Sequence, residues 1–224
     1  PAADLFWLTG IEQPESVAVL IPDAMNPAHR EMLFIREPNA SLETWEGHSL
    51  TKEKAQTISG ISTVFWSDNL ATTLHPLLVE KDSIVLNTNE HSRAGLGIES
   101  RDLRMARQFL DRYPLHSFHR LAPIFHDLRA VKSTAEVNII RDAIAITKHG
   151  LDKVLSHLKP GVKEYELEAE LIGEFTRQRA TMGYEPIVAS GKNACTLHYI
   201  NNNGPCQDGD LLLIDVGANH ANYT

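Results

Sequence analysis

The apolar run Leu211-Leu212-Leu213-Ile214 ends in Asp215-Val216-Gly217 and is entered through Asp208-Gly209-Asp210. It is short and bounded by turn residues, so 211–216 reads as a buried strand behind a tight turn. A carboxylate at the end of such a strand narrows the folds open to the chain. Leaving water unpaired costs a carboxylate several kcal/mol, roughly, so Asp215 needs a partner. The backbone amides that follow it, or a metal cation, would each serve.

The segments before that strand organise themselves by period and punctuation. Ser133 and Glu136 form a capping box, so a helix starts there. Val137, Ile140, Ile144, Leu151, Val154 and Leu158 continue it at helical spacing, and Lys159-Pro160-Gly161 stops it. A second helix covers about 164–180, with Tyr165, Ala169, Ile172 and Phe175 on one face. Lys163 stands at its N-cap position and offers a weaker cap than Ser, Thr, Asp or Asn.

Earlier in the chain, 16–21 and 31–35 read as strands joined as a hairpin through the turn-rich 22–27. Helices follow at 49–58 and 68–79, strands at 62–66 and 83–86, and a helix at 101–112. Arg101, Arg104 and Arg107 form a solvated face on the last of these. Strands alternating with helices imply an α/β domain, its mixed or parallel sheet covered by helices. The boundary falls within 121–132, giving domains 1–121 and 122–224. His116 and His119 stand three apart but bring no carboxylate, and they are not read as a metal pair.

The net charge of −8 and a pI near 5.7 exclude the basic face that a nucleic-acid partner needs. No apolar run approaches transmembrane length, so no membrane partner is expected. Cys195 and Cys206 form no disulfide framework, and both read as free, buried thiols in a reducing, cytoplasmic setting. His220 reads as an exposed hairpin-tip residue without a role.

Three pieces together carry a resemblance: 184–194 (Tyr184 to Ala194), Leu197-His198-Tyr199, and 208–217 with Asp215 near its end. In this order and spacing the chain resembles the pita-bread metallopeptidases, a family that includes methionine aminopeptidase, prolidase, aminopeptidase P and creatinase. Asp127-Leu128-Arg129 with Lys132-Ser133 and Glu136 is similar to the family's interdomain junction. Asp4-Leu5-Phe6-Trp7-Leu8-Thr9-Gly10 is similar to a stretch that normally follows an N-terminal strand and helix, so the chain is expected to be trimmed at both ends. Leu42-Glu43-Thr44-Trp45-Glu46-Gly47 is similar to the aminopeptidase P stretch whose Trp reaches a neighbouring subunit's active site.

The resemblance implies an α/β creatinase-like N-terminal domain, then the opening part of an α+β pita-bread catalytic domain with two helices and its first strands. It implies that Asp215 is the first ligand of a dinuclear site holding two Mn²⁺ or other divalent ions. His198 is implied to be catalytic and substrate-binding, contacting the peptide and the developing tetrahedral intermediate. Trp45 is implied to line the pocket for the residue after the scissile bond. A second Asp is expected just past Thr224, with a His and two Glu further on. The 224 residues alone are expected to bind no metal and to be inactive, Asp215 accepting hydrogen bonds from nearby donors instead.

The activity implied is metal-dependent release of the N-terminal residue from peptides with proline in second position, by a homo-oligomeric enzyme. A prolidase acting on Xaa-Pro dipeptides is the alternative within the family. A non-catalytic pita-bread module that binds peptides is the alternative outside catalysis.

Overall fold

The structure is a computed structural model and describes residues 3–39, 45, 47, 50–88, 90 and 99–224. The chain divides into two compact units, Pro1–Ala130 and Val131–Thr224.

In the first unit, α1 (Ala3–Thr9) leads into a three-stranded sheet of β1 (Val17–Leu20), β2 (Glu31–Ile35) and β3 (Thr63–Trp66). β1 and β2 pair antiparallel, as the 22–27 turn requires, and β2 and β3 pair parallel. The parallel pair needs a crossover, supplied by α2 (Lys52–Ser59). Thr51 Oγ1 caps α2 by accepting the Lys54 amide at 3.3 Å. β2 is central and wholly apolar after Glu31. Met32 and Phe34 pack into one cluster with Ile21, Leu74 and Leu78, while Leu33 and Ile35 pack into another with Ile11, Ala55 and Val64. A strand covered on both faces has no reason to alternate.

α3 (Leu70–Leu78), β4 (Ser83–Leu86) and α4 (Arg101–Arg112) stand close to their expected places. Arg104 and Arg107 reach Glu99, and Arg101 reaches Glu15, all on exposed surface. The 116–119 segment is no helix. Ser117–Arg120 is β5, parallel to β4, and the His116 imidazole Nε2 meets the Leu78 carbonyl at 2.9 Å. α5 (Ala122–Ala130) follows and belongs to the first unit. Pro123 stands in the first turn of α5, where no helical amide is needed. Arg129 from α5 donates to Asp4 Oδ1 at 2.5 Å, tying the end of the unit to its beginning.

The second unit opens with α6 (Thr134–His157). Both halves of its capping box are formed: Ser133 Oγ accepts the Glu136 amide at 3.3 Å, and Glu136 accepts the Ser133 amide at 2.8 Å. The buried stripe of α6 is Ala143, Ile146, Gly150 and Val154, and Ile144 is exposed. α7 (Glu164–Arg177) buries Glu164, Leu167, Leu171 and Phe175, a face rotated from the expected one, with Tyr165 and Ile172 exposed. Leu167 and Leu171 outweigh Ala169 as core residues, which sets the rotation. In place of a side-chain cap at Lys163, Glu166 reaches back to accept the Lys163 amide at 2.7 Å.

Four short strands complete this unit: β6 (Thr181–Met182), β7 (Ile187–Ser190), β8 (Leu212–Asp215) and β9 (Ala218–Asn219). β7 pairs antiparallel with β8, and β6 with β9. β8 is not the buried strand expected. Leu212 and Ile214 pack on the core made by α6, α7 and β7, while Leu211, Leu213 and Asp215 are exposed. The run is apolar throughout, but its period-two alternation turns only one face to the core.

Candidate functional site

Asp215 closes β8 opposite Ile187 of β7. Its carboxylate is exposed, so the desolvation argument for a buried partner does not apply to it. Its partner is a phenol: Tyr184 Oη donates to Asp215 Oδ1 at 2.7 Å. Partial burial, then the hydrogen bond and charge of Asp215, push the Tyr184 phenol from 10.0 up to about 12. The sequence places Tyr184 in the motif but gives no sign of this role, because the two residues meet only through the β7–β8 pairing.

His198 lies in a turn between the short 3₁₀ segment Gly191–Cys195 and Tyr199. Its imidazole is exposed and makes no hydrogen bond or ion pair among the described residues. The segment carrying it is nonetheless fixed from beneath, by two buried polar side chains that the sequence reading missed. Glu164, fully buried at the start of α7, accepts four hydrogen bonds. Oε1 accepts from the Ser190 amide at 2.7 Å and from Asn193 Nδ2 at 2.9 Å. Oε2 accepts from Tyr199 Oη at 2.8 Å and from the Gly204 amide at 2.6 Å. Desolvation pushes the Glu164 carboxyl up, but the hydrogen bonds from Asn193, Ser190, Tyr199 and Gly204 together outweigh it and hold the group below its ordinary value. Asn202, 1% exposed, accepts from the Val188 amide at 3.0 Å and donates to the Pro186 carbonyl at 2.9 Å and to Glu168 at 3.0 Å.

Trp45, in the first unit, is 87% exposed. Residues 42–44 and 46 of its segment lie outside the described residues. Cys195 is exposed and Cys206 buried, so only one of the two thiols is in the core as expected. His220 is half-buried, and its Nδ1 is sealed from solvent without a hydrogen-bond partner among the described residues, contrary to its expected exposure.

A shallow pocket of about 420 Å³ opens beside Tyr184, between Thr147 and Leu151 of α6 and Val216, Gly217 and Thr224. Neither Asp215 nor His198 lines it. Among the described residues, no three His, Cys, Asp or Glu side chains gather closely enough to hold a metal ion, so Asp215 stands as a single candidate ligand. A carboxylate oxygen on an exposed strand end suits a hard dication as one ligand of several.

Residues 1–86 match the aminopeptidase P N-terminal domain, and residues 138–224 match metallopeptidase family M24. The chain is 32% identical over 225 residues to the Xaa-Pro aminopeptidase of Escherichia coli K12, covering 99% of this chain and 50% of that protein. It is 31% identical over 220 residues to the Xaa-Pro aminopeptidase of Haemophilus influenzae, covering 97% of this chain and 48% of that protein. The structure of zinc-substituted E. coli aminopeptidase P in complex with product aligns over 98% of this chain and 50% of that one, with a TM-score of 0.80 at 30% identity. The chain spans about half the length of the curated relatives it matches. In the arrangement shared with these enzymes, the chain carries the aminopeptidase P N-terminal domain in front and the start of the metallopeptidase family M24 domain behind.

Proposed function

We propose that the complete protein carrying this chain is a metal-dependent exopeptidase that releases the N-terminal residue from peptides with proline in second position. The observation that carries this reading is the pairing of both family matches on one chain with relatives named Xaa-Pro aminopeptidase. Aminopeptidase P is known in a zinc-substituted form, and carboxylate ligation suits Mn²⁺ or a similar hard dication. Asp215 would hold such an ion together with ligands from outside these residues. When bound, divalent ions supply a Lewis acid for the scissile carbonyl and an activated water.

The chain's own residues do the rest. Tyr184 fixes the Asp215 carboxylate by holding one oxygen, leaving the exposed strand end oriented. His198, exposed on an anchored loop, donates a hydrogen bond to the substrate carbonyl as negative charge develops there. Trp45 presents an indole surface for the proline that follows the scissile bond, and its exposure supports service to a neighbouring copy in a homo-oligomer. An Xaa-Pro bond is a tertiary amide without an N–H, so a site that accepts it relies on ring packing and carbonyl recognition. Free thiols and the absence, among the described residues, of a helix able to cross a membrane fit a cytoplasmic enzyme.

The test is hydrolysis by the complete protein with Mn²⁺ of three substrates: an Xaa-Pro-Xaa tripeptide, an Xaa-Pro dipeptide and an Xaa-Ala-Xaa tripeptide. Release of the first residue from the Xaa-Pro tripeptide, with little action on the Ala tripeptide, is expected. Cleavage of the dipeptide alone identifies a prolidase. Peptide binding without cleavage of any of the three identifies a non-catalytic module.

A further inference from the structure

We propose that Glu164 is the positioning residue for His198, holding the 190–204 segment in the place from which the imidazole meets substrate. This rests on the exopeptidase reading above and assigns a device within that same site.

Glu164 is an ionisable side chain with no exposed surface, and among the described residues no Lys or Arg pairs with it. Its charge is met only by donors from one segment and by its place at the first position of α7, where the helix N-terminus favours an anion. A carboxylate offers about four acceptor sites, and four donors fill them. Those donors belong to Ser190, Asn193, Tyr199 and Gly204, which bracket His198 on both sides.

The fit leaves little slack. A Cβ on Gly204 would stand 2.6 Å from Asn193 Nδ2 and 3.0 Å from Glu164 Oε1. Tyr199, next to His198, donates its one hydroxyl proton to Glu164 and accepts from Asn193 Nδ2 at 2.9 Å and from the Asn203 amide at 3.3 Å, so its hydroxyl has three partners. An apolar side chain at this place would leave the Ser190 and Gly204 amides without their acceptor, a cost the carboxylate avoids. What the carboxylate adds is a single arrangement of the loop, and the exposed imidazole at its tip is the side chain that uses it.

The experiment is a double-mutant cycle in the complete protein. Glu164→Gln keeps the volume but sets an amide N–H₂ against the Ser190 or the Gly204 N–H. Metal content is checked in every variant. In the otherwise unaltered protein, kcat on an Xaa-Pro tripeptide is expected to fall on the order of tenfold, with KM changed less than about twofold. In a His198→Ala background the same substitution is expected to cost nothing further, because its effect passes through His198. An equal loss in both backgrounds, or no loss in the first, overturns the proposal.

Hydrogen exchange supplies a readout without activity. Exchange across 190–204 is expected to quicken at least about tenfold in Glu164→Gln, and unchanged exchange overturns the anchoring itself. If His198→Ala alone leaves kcat intact, the catalytic reading of His198 fails while exchange still judges the anchor. Should Glu164→Gln not fold, Tyr199→Phe removes one of the four donors, and the same non-additivity with His198→Ala is expected.

Discussion

Tyr184 and Asp215 are joined by a 2.7 Å hydrogen bond that spans the turn before β7 and the end of β8. The bond favours the neutral phenol, and Tyr184 is pushed up to about 12 from 10.0. Because the folded value is raised, the stability it lends is full below pH 10 and is lost as pH rises to about 12. Absorbance titration of tyrosinate is expected to show a late component that Tyr184→Phe removes. Tyr199, also raised by burial and by its bond to Glu164, remains late in that variant. A titration unchanged by Tyr184→Phe would dissolve the pair.

Asn202 has a φ of +41°, a left-handed conformation that Asn tolerates better than most residues. Its amide satisfies the Val188 N–H and the Pro186 carbonyl inside the unit. Asn202→Ala leaves those groups unpaired and adds backbone strain, so a loss of about 3 kcal/mol is expected. Urea denaturation measures it, and a loss below about 1 kcal/mol would show that solvent replaces the amide.

Gly150 of α6 faces Leu171 and Phe175 of α7 with no room for a side chain. A Cβ there would stand 2.6 Å from Phe175 Cε1 and 3.2 Å from Leu171 Cδ2. Ala normally gains about 1 kcal/mol over Gly inside a helix, but overpacking here costs about 1–3 kcal/mol. Gly150→Ala is therefore expected to lower the thermal midpoint of the second unit. A raised midpoint would mean that Phe175 moves aside freely.

Much of this was legible in the residues because the signals were local. The Ser133–Glu136 box announced α6, and the turn at 22–27 announced the β1–β2 hairpin. The strand at 187–190 carried no alternation, since all four of its residues are buried, and it was read only as part of a motif. The face of α7 was misread because Tyr165 and Ile172 fit the period as well as Leu167 and Leu171 do. Within the candidate site, Asp215 and His198 drew notice in the sequence only because each residue type is unusual in its place. Glu164 gave no such sign. A Glu at a helix start is ordinary, and its burial follows from donors 26 to 40 positions away.

The central claim is that the complete protein cleaves Xaa-Pro peptides with His198 at the reacting carbonyl. The most direct measurement is kcat on an Xaa-Pro tripeptide for the complete protein and its His198→Ala variant, at equal metal content. A fall of about 10²-fold in kcat with metal retained is the result expected. An unchanged kcat in the fully metallated variant would contradict the account.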